Sequence, residues 1–146
     1  MNNKLLLAAL MAAFPMYPCW ALHGENDFGL VGIVRGQTLR INVVNTSLLA
    51  HHACPLVVSF LDGSGKEIGK SNSLILEFGQ AGHFDLNGDS LELARGERKQ
   101  IRGHISLSLR GGGYACRHVI ATEEVFNNET GQTVILNPVL TERFSP

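Results

Sequence analysis

Between Gly36 and Asn45 the chain reads Gly-Gln-Thr-Leu-Arg-Ile-Asn-Val-Val-Asn, and that alternation restricts the backbone severely. From Thr38 to Val44, Leu39, Ile41 and Val43 take one side while Thr38, Arg40 and Asn42 take the other. A side-chain period of two marks a strand buried on one face; a helix would space its apolar residues three and four apart. Thr38, Ile41, Val43 and Val44 are β-branched, which suits a pleated surface. Gly36 and Gln37 read as the turn into this strand.

The flanking segments repeat the theme. Leu22 to Asp27 reads as a loose polar lead-in, and Phe28 to Val34 as the first strand. In the run from Cys54 to Leu61, Cys54, Leu56, Val58 and Phe60 share a face, so the Cys54 thiol points into the core. Asp62-Gly63-Ser64-Gly65 is a turn. A polar edge strand over Lys66 to Lys70 follows, then a separate strand over Leu74 to Phe78 with Leu74, Leu76 and Phe78 inward. His83 to Leu86 turns Phe84 and Leu86 inward, and the loop from Asn87 to Glu97 has room for one helical turn around Leu91 to Ala94. Arg98 to Leu109 is the longest alternation, with Ile101, Gly103, Ile105, Leu107 and Leu109 on one side. After Gly111-Gly112-Gly113 a strand runs from Tyr114 to Phe126; Asn127 to Gly131 is a hairpin turn, and Thr133 to Leu136 closes the sheet before Pro138. High glycine content between short apolar runs favours turns between strands over long helices. Seven to nine short strands with turns about every ten residues predict an all-β, two-sheet antiparallel sandwich of immunoglobulin-like type. A barrel is the alternative.

With 146 residues the chain suits one domain with one core. Its first 21 residues read separately as a secretory signal peptide. Lys4 supplies the positive end, Leu5 to Phe14 the apolar stretch, and Cys19-Trp20-Ala21 the small residues before a cut. An N-terminal membrane anchor is the competing reading, but the apolar run is short of the ~20 residues a span requires. A lipoprotein signal fits poorly, because Tyr17-Pro18 precedes Cys19 where small residues belong. Residues 22–146 then form a single domain, secreted or periplasmic, with no membrane span after cleavage.

Of the three cysteines, Cys19 leaves with the signal, so Cys54 and Cys116 remain. Two cysteines in an exported chain predict one disulfide, which in a sandwich of this kind joins the two sheets; two free buried thiols are the alternative. Closing a loop of about sixty residues stabilises by on the order of 4 kcal/mol in the chain-entropy model. Charge is nearly balanced: the 12 basic residues less Lys4 leave 11 against 13 acidic ones. The basic cluster Arg95, Arg98, Lys99 and Arg102 is interrupted by Glu97 and has no interleaved aromatics, so it argues against a nucleic-acid surface. It reads instead as a solvated strand edge.

Several segments carry a wider pattern: Phe28-Gly29-x-Val31-Gly32, Gly36-Gln37-Thr38-x-Arg40-x-Asn42-Val43-Val44-Asn45, Cys54-Pro55 and Phe60-x-Asp62-x-x-Gly65. Gln100-Ile101-Arg102, Cys116 and Glu124-Val125-Phe126-Asn127-x-x-Thr130-Gly131-x-Thr133 follow in the same order. Together they resemble a group of small secreted bacterial β-sandwich proteins of unassigned function. The resemblance spans nearly the whole mature chain. It implies the same fold, export and disulfide, and brings no catalytic residues with it. The histidine pair of the Thr46 to Ala53 loop is not part of the group's pattern.

Chemistry-bearing candidates are few. His51 and His52 in that loop, with His83, His104 or His118, are candidate ligands for zinc or copper. Adjacent residues of an extended chain point apart, which weakens a chelate from His51 and His52 alone. Asp85-x-Asn87-x-Asp89 matches the first ligands of a calcium loop, but Ser90 replaces the glycine and Gly96 the glutamate that such a loop needs; otherwise Asn87-Gly88-Asp89 is a turn. Ser64 lacks a nucleophile elbow, and the neighbours Glu123 and Glu124 face opposite sides of a strand. Asn45-Thr46-Ser47 and Asn128-Glu129-Thr130 match glycosylation sequons and read as turn residues in a bacterial chain. The sequence therefore predicts an exported non-enzymatic structural, binding or adhesion module without a cofactor. Its partner is an unidentified protein or surface glycan, and recognition falls to the loops Leu48 to His52, Asn87 to Arg95 and Arg110 to Tyr114, with Leu48, Leu49 and Tyr114 foremost. A periplasmic metal-binding protein using the loop histidines is the alternative, and a secreted hydrolase of unrecognised type the third.

Overall fold

The computed structural model describes residues 24–47, 53–107, 116 and 118–138. Nine antiparallel strands occur among them: β1 (Gly24–Asp27), β2 (Val31–Ile33), β3 (Gln37–Asn45), β4 (Cys54–Asp62) and β5 (Glu67–Leu76), then β6 (Ala81–Asn87), β7 (Lys99–Leu107), β8 (Val119–Asn127) and β9 (Thr133–Pro138). A single 3-10 turn, Gly88–Leu91, separates β6 from β7.

One sheet runs β1-β7-β4-β5 with β2 also on β7; the other runs β6-β3-β8-β9. β1 lies against His104 to Leu107 and β2 against Lys99 to Ile101, so the two short strands share one edge and each sheet is four strands wide. The core lies between the sheets. The inward residues of β3 (Leu39, Ile41, Val43) and of β4 (Cys54, Leu56, Val58, Phe60) are all at most 2% exposed. Ile101, Ile105 and Leu107 of β7 and Val125 of β8 join them, as does Phe28 between β1 and β2. The period of two read in β3, β4 and β7 is therefore the period of burial.

The sandwich and its disulfide match expectation, and among the described residues no strand is shared between the sheets. The strand order differs from the constant-type immunoglobulin arrangement, in which the first two strands are neighbours. Here β1 and β2 lie on β7, and β3 lies in the other sheet between β6 and β8.

Local differences have physical causes. The lead-in contains strand β1, because its backbone pairs with β7 whatever its side chains. Of the strand expected over Phe28 to Val34 only β2 forms, since Phe28 drops into the core and donates its N–H to the Gly103 carbonyl at 3.0 Å. The two strands read over Lys66 to Phe78 are one, β5; it lies at a sheet edge with its middle exposed, so its polar centre shows no alternation. Gly69, at φ +76°, lies where the register with β4 shifts. Phe78 lies beyond the strand and is 48% exposed instead of inward. The helical turn sits at Gly88–Leu91, earlier than expected: Asn87 caps it by accepting from the Asp89 N–H at 2.8 Å.

Cys54 and Cys116 are bonded at an S–S distance of 2.06 Å with Cα atoms 5.0 Å apart. Cys54 opens β4 in one sheet, and Cys116 lies in the turn before β8 of the other rather than within the strand expected there. The same end holds Asn45, whose side chain donates to the Leu76 carbonyl across the sheets at 2.9 Å. Ser47, Ala53, Leu107 and Cys116 flank the β3–β4 and β7–β8 connections at this end, whereas the Asn87 to Arg95 connection leaves from the opposite end. Of the three expected recognition loops, Leu48 to His52 and Arg110 to Tyr114 lie outside the described residues.

Candidate functional site

The outward residues of β3 meet those of its two neighbours in rows, because directly opposed residues of antiparallel strands share a face. Arg40 lies between Asp85 of β6 and Glu124 of β8. Asn42 lies between His83 and Thr122, and Val44 between Ala81 and Ile120. Three rows thus cross the outer face of the β6-β3-β8-β9 sheet: one of charged groups, one polar, one apolar.

The charged row sets one cation between two carboxylates. Arg40 donates from Nε to Asp85 Oδ1 and from a terminal nitrogen to Oδ2, both at 2.7 Å, a bidentate pair. Its guanidinium lies 4.9 Å from the centre of the Phe126 ring. The hydrogen bonds to Asp85 hold the Arg40 pKa above its ordinary value, with burial opposing and Glu124 adding attraction. Glu124 accepts from Asn42 Nδ2 at 3.0 Å through Oε1 and from the Thr133 hydroxyl at 3.2 Å through Oε2. Both side chains of the Arg40–Asp85 pair are about a third exposed, so the network is worth more as alignment than as stability.

Beside it, Asn42, Val43, Val44, Ala81, Gly82, His83, Ile120 and Thr122 line a shallow recess of about 250 Å³. His83 and Ile120 are exposed, Ile120 by 40%. Further along the face Leu136 is 61% and Val134 57% exposed on the edge strand β9.

On the other sheet Asp27, His104 and Ser59 form a row across β1, β7 and β4. His104 Nδ1 lies 2.8 Å from Asp27 Oδ1, and Arg102 reaches the second Asp27 oxygen at 3.5 Å. The order is that of a hydrolytic triad, although among the described residues no hydrogen bond joins Ser59 to His104.

The calcium-loop candidates point to separate tasks. Asp85 binds Arg40, Asn87 caps the 3-10 turn, and Asp89 accepts the Gly36 N–H at 2.9 Å. Asn128 joins the last two, donating to Asn87 Oδ1 at 3.2 Å and Asp89 Oδ2 at 3.3 Å while accepting from the Thr38 hydroxyl at 2.6 Å. Among the described residues no three His, Cys, Asp or Glu side chains gather closely enough to hold a metal ion. His51, His52, Leu48, Leu49, Tyr114 and the signal segment lie outside the described residues. Of the sequons, Asn45 is fully buried with its amide donated to Leu76, and Asn128 is tied into the network above.

Sequence reasoning passed over Thr122 and met Arg40, Asn42, Glu124 and Thr133 as strand and pattern residues, not as members of one site. Their signal was present: Arg40 and Asn42 are the outward members of the alternation in β3. Their convergence with Asp85 and Glu124 depends on strand register, which a single sequence does not display.

No protein-family model matches the chain, and neither a curated protein nor a solved structure matches it. Among the described residues no helix is long and apolar enough to cross a membrane.

Proposed function

We propose that the chain is an exported binding module without catalytic activity of its own, and that it meets its partner through the outer face of β6, β3 and β8. The observation that carries this reading is the arrangement of that face. Two sets of hydrogen bonds fix Arg40 with Asp85 and Asn42 with Glu124 beside the recess. Side chains held in place before binding lose little freedom on binding, which is the usual way a rigid sheet gains affinity. Export is supported by the apolar leader over Leu5 to Phe14 and by the Cys54–Cys116 bridge, a bond that persists in oxidising compartments.

The test is a backbone-amide NMR map of the chain from Leu22 onward, titrated separately with neutral oligosaccharides, sulfated oligosaccharides and short extended peptides. At least one class is expected to shift amides clustered over Arg40 to Val44, Ala81 to Asp85 and Ile120 to Glu124. Silence from all three, or shifts confined to the other sheet or to the loop ends, would overturn the reading.

A further inference from the structure

We propose that β6 is a dimer edge, at which a second copy of this chain pairs antiparallel about a two-fold axis through Phe84 and joins two four-stranded sheets into one. Of the sheet edges among the described residues, three are interrupted. β1 and β2 divide one edge into strands of four and three residues. The register of β5 with β4 shifts between Val58 and Phe60, and that of β9 with β8 between Val125 and Phe126. Short strands and bulges are the usual ways an edge is kept from pairing. β6 has neither: its seven residues pair with β3 from Ala81 to Asn87 without a shift.

The open backbone groups of this edge follow from the ladder. Asn45 donates to the Gln80 carbonyl at 3.0 Å and Thr46 to the His118 carbonyl at 2.8 Å, so odd-numbered residues of β3 bond toward β6 and even-numbered ones toward β8. Their partners Gly82, Phe84 and Leu86 are thereby used, and the N–H and C=O groups of Ala81, His83 and Asp85 face outward. Among the described residues no hydrogen bond reaches those groups.

The edge is complementary to itself, which selects a second copy over a foreign strand. Outward-facing groups must meet outward-facing groups, so a two-fold axis passes through His83, Phe84 or Asp85. An axis at His83 sets that ring against its own copy, and one at Asp85 sets two carboxylates together. An axis at Phe84 sets His83 against the partner's Asp85, and Asp85 against the partner's His83. Both side chains are exposed on the outer face. Asp85 binds Arg40 through both oxygens, yet each oxygen keeps a second lone pair for the partner's His83. On the inner face Phe84, only partly buried against the core, meets the partner's Phe84 at a position without backbone bonds, where opposed side chains come closest. Gly82 lies opposite the partner's Leu86, so that face is not crowded. The row of Thr122, Asn42 and His83 then continues into the partner's Asp85, so each recess gains a carboxylate from the other copy. The interface does not depend on the binding-face reading, but it sets two such faces side by side.

A single strand pair is a small interface, so the dissociation constant is expected around 0.1 mM. The test is sedimentation velocity and amide NMR of the chain from Leu22 onward, without ligand, from about 10 μM to about 1 mM. The chain is expected to move from monomer toward dimer across that range, with concentration-dependent shifts clustered from Ala81 to Asn87. His83→Pro removes an outward N–H without touching a bond to β3 and is expected to leave a folded monomer. His83→Asp sets like charges opposite each other and is expected to weaken the dimer about tenfold; it reads the same edge if His83→Pro does not fold. A chain that stays monomeric throughout overturns the dimer and leaves the binding-face reading standing. So does a monomer whose β6 amides shift only with short extended peptides, since the edge then belongs to a foreign strand. A dimer that His83→Pro leaves intact lies elsewhere, and one that His83→Asp does not weaken has another register; either result overturns the interface as drawn.

Discussion

Glu123 is a carboxylate with no exposed surface, held between the sheets. From β8 it reaches across to accept the Gly103 N–H of β7 at 2.9 Å, and its second oxygen accepts from Asn137 of β9 at 3.2 Å. The need arises where the edge is interrupted. β1 ends opposite His104 and β2 begins opposite Ile101, so the Gly103 carbonyl is met by the Phe28 N–H while its own N–H is left for the carboxylate. Burial raises the Glu123 pKa, with the bonds from Gly103 and Asn137 opposing. The folded chain therefore holds this proton to higher pH than the unfolded chain does. Native protein binds more protons in that window, so this group's share of stability is full below the ordinary carboxylate value and declines as pH rises through the raised one. Glu123→Gln keeps an acceptor for Gly103 and removes the titration. In urea unfolding at several pH values its stability relative to wild type is expected to rise with pH and then level off. A difference that stays flat from acid to neutral pH would contradict the assignment. Glu123→Ala leaves a buried N–H unpaired and a void, with an expected cost of about 2–4 kcal/mol. Strand parity made it legible that Glu123 and Glu124 face opposite sides. Which of them faces inward was not, because the group that needs a carboxylate sits on β7, twenty residues away in sequence and in the other sheet.

Packing between elements turns on the same point of β7. A Cβ built on Gly103 would lie 2.5 Å from Ile41 Cδ1 of β3 and 3.1 Å from Phe28 Cδ2, so the sheets approach over a missing side chain. Ile41 is fully buried and has nowhere to move. Gly103→Ala is expected to cost about 1–3 kcal/mol by overpacking. Ile41→Val deletes the methyl that clashes, so the double variant should be less destabilised than the sum of the singles, and a double-mutant cycle from denaturant unfolding measures that coupling. Simple additivity would show that the two residues do not press on each other. At this scale the sequence was most legible where a strand is central. β3, β4 and β7 are paired on both sides and buried on one face, and their alternation is clean. Edge strands were harder to read: β1 has few apolar residues, and β5 runs exposed from Glu67 to Ser73 apart from Ile68, so hydrophobic period marks neither. The candidate site lay between these cases. The outward residues of β3 could be listed from the alternation, but their neighbours could not, since β6 begins at Ala81 and β8 at Val119, 36 and 74 residues beyond the end of β3 at Asn45.

Over the whole molecule, two connections among the described residues tie the sheets at one end: the Cys54–Cys116 bond and the Asn45 to Leu76 hydrogen bond. The second does not depend on sulfur. Loss of the bond should therefore leave the native sheets in register and act chiefly on the unfolded chain, which regains the freedom of a loop spanning 62 residues. The chain-entropy model puts that freedom at about 4 kcal/mol, a large part of the stability of a domain this size. The core is rich in β-branched and aliphatic side chains from both sheets, which supports a folded reduced form of lower stability. The expected outcome of reduction is a gain of about 2 Da in intact mass as two thiols form, a lower urea midpoint, and an amide spectrum unchanged in β3, β7 and the middle of β8. Cys54→Ser with Cys116→Ser should behave as the reduced protein does. An unmoved midpoint would mean that the unfolded chain is already confined near this end. A spectrum that collapses on reduction would mean instead that the bond positions the sheets themselves, and that Asn45 cannot hold them without it.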